Sequence, residues 1–435
     1  MHAAVLMMGL PSRGNHGGAL TCFAIIKQLI KEGHRVSVIS LFDLSKRNPY
    51  TSYKEINKEA VEELGAEVKL LEYDLRDVPL QEPYRVLEEQ RFLQRLCTRY
   101  HRLRDPDIRY FYHPFPHFRN ALDRLLRETG PDVCFAYHYE PLAALDGLSR
   151  PPTMAGFGDL THLPGYFRWW KESPPPFGLA YFRSVVWNWE ERLIHTRLMR
   201  RLLLGCEKRG AFAGHYSRWL VQHGISDCQY LRTPVADPVG PDWLSRRQQE
   251  ENAKRKILVV GDLHGTVSRA GLRLTGREVL PALEEAMGTG AFEMHFVGRG
   301  EVPDDVTHLY QRPTVVMRGV VDPADREFLS AHVLFVPTPI TLGIRVRIVT
   351  GLAFGCCVVT HLANQQGIPE LEDGVNCLLS SSGRGLARKL ENALRDNELR
   401  LRIQRNARNT YEKYFSEDVA AGHIVNELVG LTTIC

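Results

Sequence analysis

At 435 residues the chain exceeds what one hydrophobic core normally organises, so two domains are expected. With 44% apolar and 24% charged residues it reads as globular, which excludes a disordered or fibrous chain. Lys+Arg total 55 against 51 Asp+Glu, a net +4 that falls short of a nucleic-acid-binding face, so no nucleic-acid partner is expected.

Along the chain, Ala4–Met8 is a short apolar segment read as a strand, and the loop GLPSRGNHGG follows it. From Gly18, apolar residues recur at Leu20, Phe23, Ile26 and Leu29, a helical period ended by EGH. RVSVISLF reads as the next strand, Lys54–Leu64 as a polar helix, and AEVKLLEY, VCFAY and TMAGFG as further strands. The same alternation restarts at Lys256: KILVVGD, EMHFVGRG, TVVMRG, HVLFVP and CCVVT are strands, and EVLPALEEAM is a helix. Strands alternating with helices imply parallel sheets covered by helices, α/β in class. The proline-bearing polar stretch Ser226–Glu251 suits a linker. The expected domains are 1–235 and 236–412, with the tail 413–435 returning to the first. Facing sheets of this kind leave a cleft between their carboxyl edges, where open α/β sheets bind ligands.

Nine scattered cysteines, with Cys356 and Cys357 adjacent in an apolar run, point to reduced thiols and a cytoplasmic setting. The first apolar run, AAVLMMGL, is too short for a signal peptide, and no run approaches the ~18 apolar residues of a membrane span. Peripheral contact at the inner membrane face stays open. YFRWWK (166–171) and Arg197–Arg209 mix apolar and basic residues, as an anionic glycan, a lipid-linked acceptor or a membrane surface would require. The alternative is a helix packed on its apolar side with solvated arginines outside.

Three glycine-bearing strand exits mark the second half. GDLHGTVSRAG offers Gly261 and Arg269, FVGRG offers Gly298 and Arg299, and TPITLGIRVR offers Gly343, Arg345 and Arg347. A helix starting at Gly343 would turn free N–H groups and its positive dipole toward an anion, with Arg345 adding a charge-assisted contact. Arg347, two positions on, points elsewhere, and Arg345 is the favoured ligand contact of the two. Tight turns alone also explain such glycines. In the first half, Gly17 and Gly18 let backbone approach a ligand at a helix start, with Arg13 and His16 beside them. His138 leaves the VCFAY strand at the sheet edge. Asp159 and His162 follow TMAGFG, and neither is assigned as a base. The sequence has no compact His/Cys cluster, and no metal is expected.

The segment VLFVPTPITLGIRVRIVTGLAFGCCVVTHLANQQGIPELEDGVNCLLS resembles the nucleotide-sugar-binding core of GT-B glycosyltransferases, most closely the retaining group called family 4. GLAFGCCVVT (351–360), GIPE (367–370) and EDGVNCLL (372–379) match its motifs, and GGALTCFAIIKQLIKEGHRVSVIS (17–40) is similar to its first loop, helix and second strand. SRWLVQHGI and YLRTPVAD stand at its interdomain connection. The resemblance implies two facing Rossmann-like domains. It also implies sugar transfer, with retention, from a nucleotide-diphosphate sugar to a glycan, lipid-linked or small-molecule acceptor, without a further cofactor. In the family, two glutamates flank the donor helix, and Leu342 and Thr350 stand in their places here. Thr350 keeps one hydrogen bond, and Glu370 and Glu372 are candidate substitutes. On this reading Gly17, Gly18, Gly261, Gly298, Gly343, Thr350, Glu370 and Glu372 hold the donor. His138 acts at the transferred sugar or acceptor, and Arg269 and Arg345 stabilise the leaving phosphate. Two functions stay open: an active transferase, or a non-catalytic GT-B-like subunit that binds or regulates one. The oligomeric state is not legible.

Overall fold

The computed structural model describes residues 1–13, 17–43, 54–73, 119–160, 177–250 and 254–433. The first domain holds β1 (His2–Met8), β2 (Arg35–Asp43), β3 (Glu67–Tyr73), β4 (Val133–Tyr137), β5 (Thr153–Phe157), β6 (Lys208–Ala211) and β7 (Cys228–Tyr230). The second holds β8 (Arg255–Val260), β9 (Phe292–Val297), β10 (Val315–Gly319), β11 (Val333–Val336), β12 (Cys357–His361) and β13 (Leu378–Ser380). The sheets run β3-β2-β1-β4-β5-β6-β7 and β10-β9-β8-β11-β12-β13, and the described pairings are parallel.

Helices on both faces explain why central strands are apolar without alternation. Every residue of β4, VCFAY, is buried, as is all of β11, VLFV. The helix Gly17–Lys31 covers one face of the first sheet with Phe23, Ile26 and Leu29, the period seen in the sequence. In both sheets the strand order reverses, between β1 and β4 and between β8 and β11. Such switch points open a crevice at the carboxyl ends of the strands.

The chain crosses between domains twice, close together. Val235 pairs with Ser416, and Arg408 holds Asp237 while donating to the Ala353 carbonyl. Beyond the second crossing, Glu417–Thr432 lies on the Gly17–Lys31 helix, burying Ala421, Ile424, Val425 and Leu428 in the first core, with Lys27–Glu417 and Lys31–Asp418 ion pairs at the rim. The basic-apolar stretch from Arg197 packs Leu198, Met199, Leu202 and Leu203 inward and leaves Arg197, Arg200 and Arg201 outside. YFRWWK lies outside the described residues. Among them, no helix is long and apolar enough to cross a membrane, and seven cysteines are free and buried.

Candidate active site

The two switch points face each other. At the first, the start of the Gly17–Lys31 helix follows β1. A Cβ on Gly17 would fall 2.8 Å from Val346 Cγ2, so this helix start abuts the second domain. A Cβ on Gly18 would collide with the Tyr137 ring at 2.6 Å. Both positions therefore require glycine for close approach. Arg13 stacks over Phe23, with its guanidinium carbon 5.4 Å from the ring centre, and His16 lies outside the described residues.

His138 follows β4 with φ 74° and ψ −176°, a basin otherwise left to glycine. Its N–H donates to the Gly156 carbonyl at 2.8 Å, and its ring meets Tyr137 edge-on with centroids 4.6 Å apart. Gly158 makes room for it, since a Cβ there would stand 3.0 Å from Nε2. The next residue, Asp159, reaches the second domain. Its Oδ1 accepts the Tyr216 hydroxyl at 3.2 Å, and that hydroxyl accepts the Gly343 N–H at 2.8 Å. A Cβ on Gly343 would lie 2.3 Å from the same carboxylate oxygen. Arg345 is partly buried next to Asp159. Burial lowers its pKa, and the carboxylate opposes that shift. Asp159, Tyr216 and the Gly343 turn are thus one cluster built from both domains.

Beside Tyr216 stands His215, with ring centroids 4.0 Å apart and neither imidazole nitrogen hydrogen-bonded. The Gln366 carbonyl is near but outside bonding geometry. Burial pulls the imidazole down to about 4.

The glycine-bearing strand exits of the second domain approach one another closely. A Cβ on Gly298 would overlap the Gly261 carbonyl at 1.9 Å, and one on Gly300 would strike the His264 ring at 2.7 Å. The helix does not start at Gly343. Gly343 is left-handed (φ 61°), Arg345 is non-helical, and the helix runs Val346–Ala353. This later start redirects the two arginines. Arg345 turns back to the Leu342 carbonyl and toward Asp159. Arg347 instead reaches the β8 exit, donating to the Val260 carbonyl at 2.8 Å and approaching Ser268 and Thr338 at 3.5 Å. Burial, with Arg345 beside it, pulls Arg347 down to about 9 against the opposing charge of Asp262, so an anion here would stabilise its charged form further. Arg269 sits on the helix Thr266–Leu274, which carries Ser268 toward Arg347.

Two of the expected donor contacts, Thr350 and Glu370, have other partners, and the third, Glu372, lies in a turn. Thr350 donates to the Val346 carbonyl of its own helix at 3.2 Å, the usual resort of a helical threonine. Glu370 accepts Arg232 Nε at 2.7 Å and the Tyr230 hydroxyl at 3.1 Å, which ties the domains together. Glu372 is exposed and closes a turn, its N–H donating to Asn376 Oδ1 and its carbonyl accepting from Val375 and Asn376. Leu342 is buried with Ile340 in the first domain's core cluster, so its apolar character serves interdomain packing. Among the described residues, no group of three or more His, Cys, Asp or Glu side chains could hold a metal.

Two parallel Rossmann-type sheets with apposed switch points define the GT-B fold. In the second of them, residues 254–396 match the family model described as "Glycosyl transferases group 1". Solved structures bear out the fold across the chain. A glycosyltransferase from Rickettsia africae aligns with TM-score 0.64 at 12% identity, covering 99% of this chain and 98% of its own. HepE of Anabaena, in complex with UDP-glucose, aligns with TM-score 0.63 at 14% identity, covering 99% and 100%. Sucrose-phosphate synthase of Thermosynechococcus elongatus aligns with TM-score 0.65 at 12% identity, covering 100% of both chains. No curated protein sequence matches the chain.

Proposed function

We propose that this protein transfers a sugar from a nucleotide-diphosphate sugar to a glycan, lipid-linked or small-molecule acceptor, with retention at the transferred carbon. The observation that carries this reading is the anion-ready donor edge. Gly261, Gly298 and Gly343 bring three strand exits together around the start of the Val346–Ala353 helix, with the partly buried Arg347 beside it. HepE, similar in fold, is solved with UDP and with UDP-glucose, which supports a nucleotide-sugar donor here.

As the diphosphate leaves, negative charge grows on it. Arg347 and the helix-start N–H groups would stabilise that charge without reorganising. Across the cleft, His138 and Asp159 would align the sugar and acceptor. The donor helix carries no carboxylate, and that observation favours a second reading, a GT-B-like subunit that binds a nucleotide sugar without transferring it.

Calorimetry across UDP, GDP, ADP, TDP and CMP sugars, followed by product analysis with glycan and lipid acceptor fractions, tests both. Binding with turnover supports the transferase, and tight binding without transfer or hydrolysis supports the subunit. No binding to folded protein removes both.

A further inference from the structure

The largest departure from an ordinary surface lies on the 26-residue helix Leu179–Leu204. Its C-terminal half is docked, with Ile194, Leu198, Met199, Leu202 and Leu203 buried. Its N-terminal half is not. Phe177 is 86% exposed and Leu179 78%, while Phe182, Val186, Trp187 and Trp189 are exposed by 51–59%. Six large apolar side chains this open within one short stretch are unusual on a lone soluble surface, where such residues scatter singly.

The helical period aligns them. Leu179, Phe182, Val186 and Trp189 follow i, i+3, i+7 and i+10 spacing and so form one stripe. Phe177, Tyr181 and Phe182 cluster at its tip, with ring centroids 5.6–6.0 Å apart. Further along the helix, Arg197 and Arg200 lie on the same face, both exposed. Arg183 and Arg192 flank the stripe and are exposed as well. The helix sequence holds five arginines against two glutamates, Glu190 and Glu191, and Glu190 is buried.

We infer that this half-helix is a docking surface for an anionic lipid bilayer. Tryptophan and tyrosine suit the headgroup boundary, having an apolar body and a polar edge. Arginines on the same face meet lipid phosphates while the apolar tip enters the acyl boundary. Two copies of this chain meeting through the stripe would instead bring their arginines together. Attachment would be peripheral, because no described helix can span a membrane. The surface belongs to the first domain, opposite in sequence to the donor half, and would bring the acceptor side to the lipid.

Flotation with phosphatidylglycerol–phosphatidylcholine vesicles tests this on the full chain without any transferase assay. The protein is expected to float with these vesicles at low salt, to be released as salt rises, and to stay behind with phosphatidylcholine alone. Removing one arginine, as in Arg183→Gln or Arg197→Gln, should weaken partitioning about fivefold. The exposed double variant Phe182→Glu/Trp189→Glu should weaken it by at least about tenfold, with an unchanged circular dichroism spectrum. Absence of flotation by the unaltered protein overturns the inference, as does flotation indifferent to these substitutions. A concentration-dependent dimer that the double variant dissolves, without vesicle binding, overturns it in favour of self-association.

Discussion

At His138, glycine and alanine should reverse their usual order of stability. The residue sits at φ 74° and ψ −176°, where any Cβ carries strain of about 1–3 kcal/mol. His138→Ala and His138→Gly both delete the ring, so the lost edge-on contact with Tyr137 and the space over Gly158 cancel between them. Only the backbone term differs. Glycine ordinarily costs roughly 0.5–1 kcal/mol more than alanine, because the unfolded chain gains freedom. Subtracting that from the relieved strain leaves His138→Gly the more stable variant by about 1 kcal/mol, within a range of roughly 0–2.5. Urea unfolding of the two variants side by side measures this, read on the transition in which the first domain melts. Steady-state kinetics with a matched donor and acceptor should show kcat lowered alike in both, with donor affinity little changed, because the missing group is the imidazole. An alanine variant as stable as the glycine variant would refute the strain argument. Wild-type kcat in either would remove His138 from the site.

Other outcomes follow from the same geometry. Glu370→Gln keeps shape, but its amide has one acceptor oxygen where the carboxylate uses two, so the bonds from Arg232 and Tyr230 cannot both be kept and the ion pair is lost; chemical denaturation should show a loss of about 1–2 kcal/mol while calorimetry shows unchanged nucleotide affinity. Arg347→Met should weaken nucleoside-diphosphate binding by about tenfold, and more than Arg345→Ala does, since Arg345 already faces Asp159. His215 is held neutral by burial, with its pKa about 4 against 6.5 for a free imidazole, so on acidification the unfolded chain takes up the proton first. Its contribution is intact above pH 6.5 and fades toward pH 4 by at most roughly 2–3 kcal/mol; His215→Gln should flatten that slope in urea midpoints measured across the range.

What the sequence disclosed and what it hid divide along a physical line. Glycines 261, 298 and 343 were legible because tight turns and backbone contact at a strand exit tolerate no Cβ, a demand that one position satisfies alone. The alternating strands and helices were legible because burial on both faces writes itself into continuous apolar runs. Contacts across the domain interface leave no such local mark. Tyr216 looks like one more aromatic on an apolar helix, yet its hydroxyl joins Asp159, 57 positions before it, to Gly343, 127 positions after it. Glu370 looked like a donor contact from its place after a glycine motif, and its partners lie 138 and 140 positions away. The arginine pair shows how small the deciding fact can be. On a helix two residues apart point to nearly opposite sides, so which of Arg345 and Arg347 faces the donor depends on where the first turn begins. Placing that start at Gly343 favours Arg345. The left-handed glycine delays it to Val346, leaves Arg345 outside the helix facing Asp159, and sends Arg347 to the β8 exit.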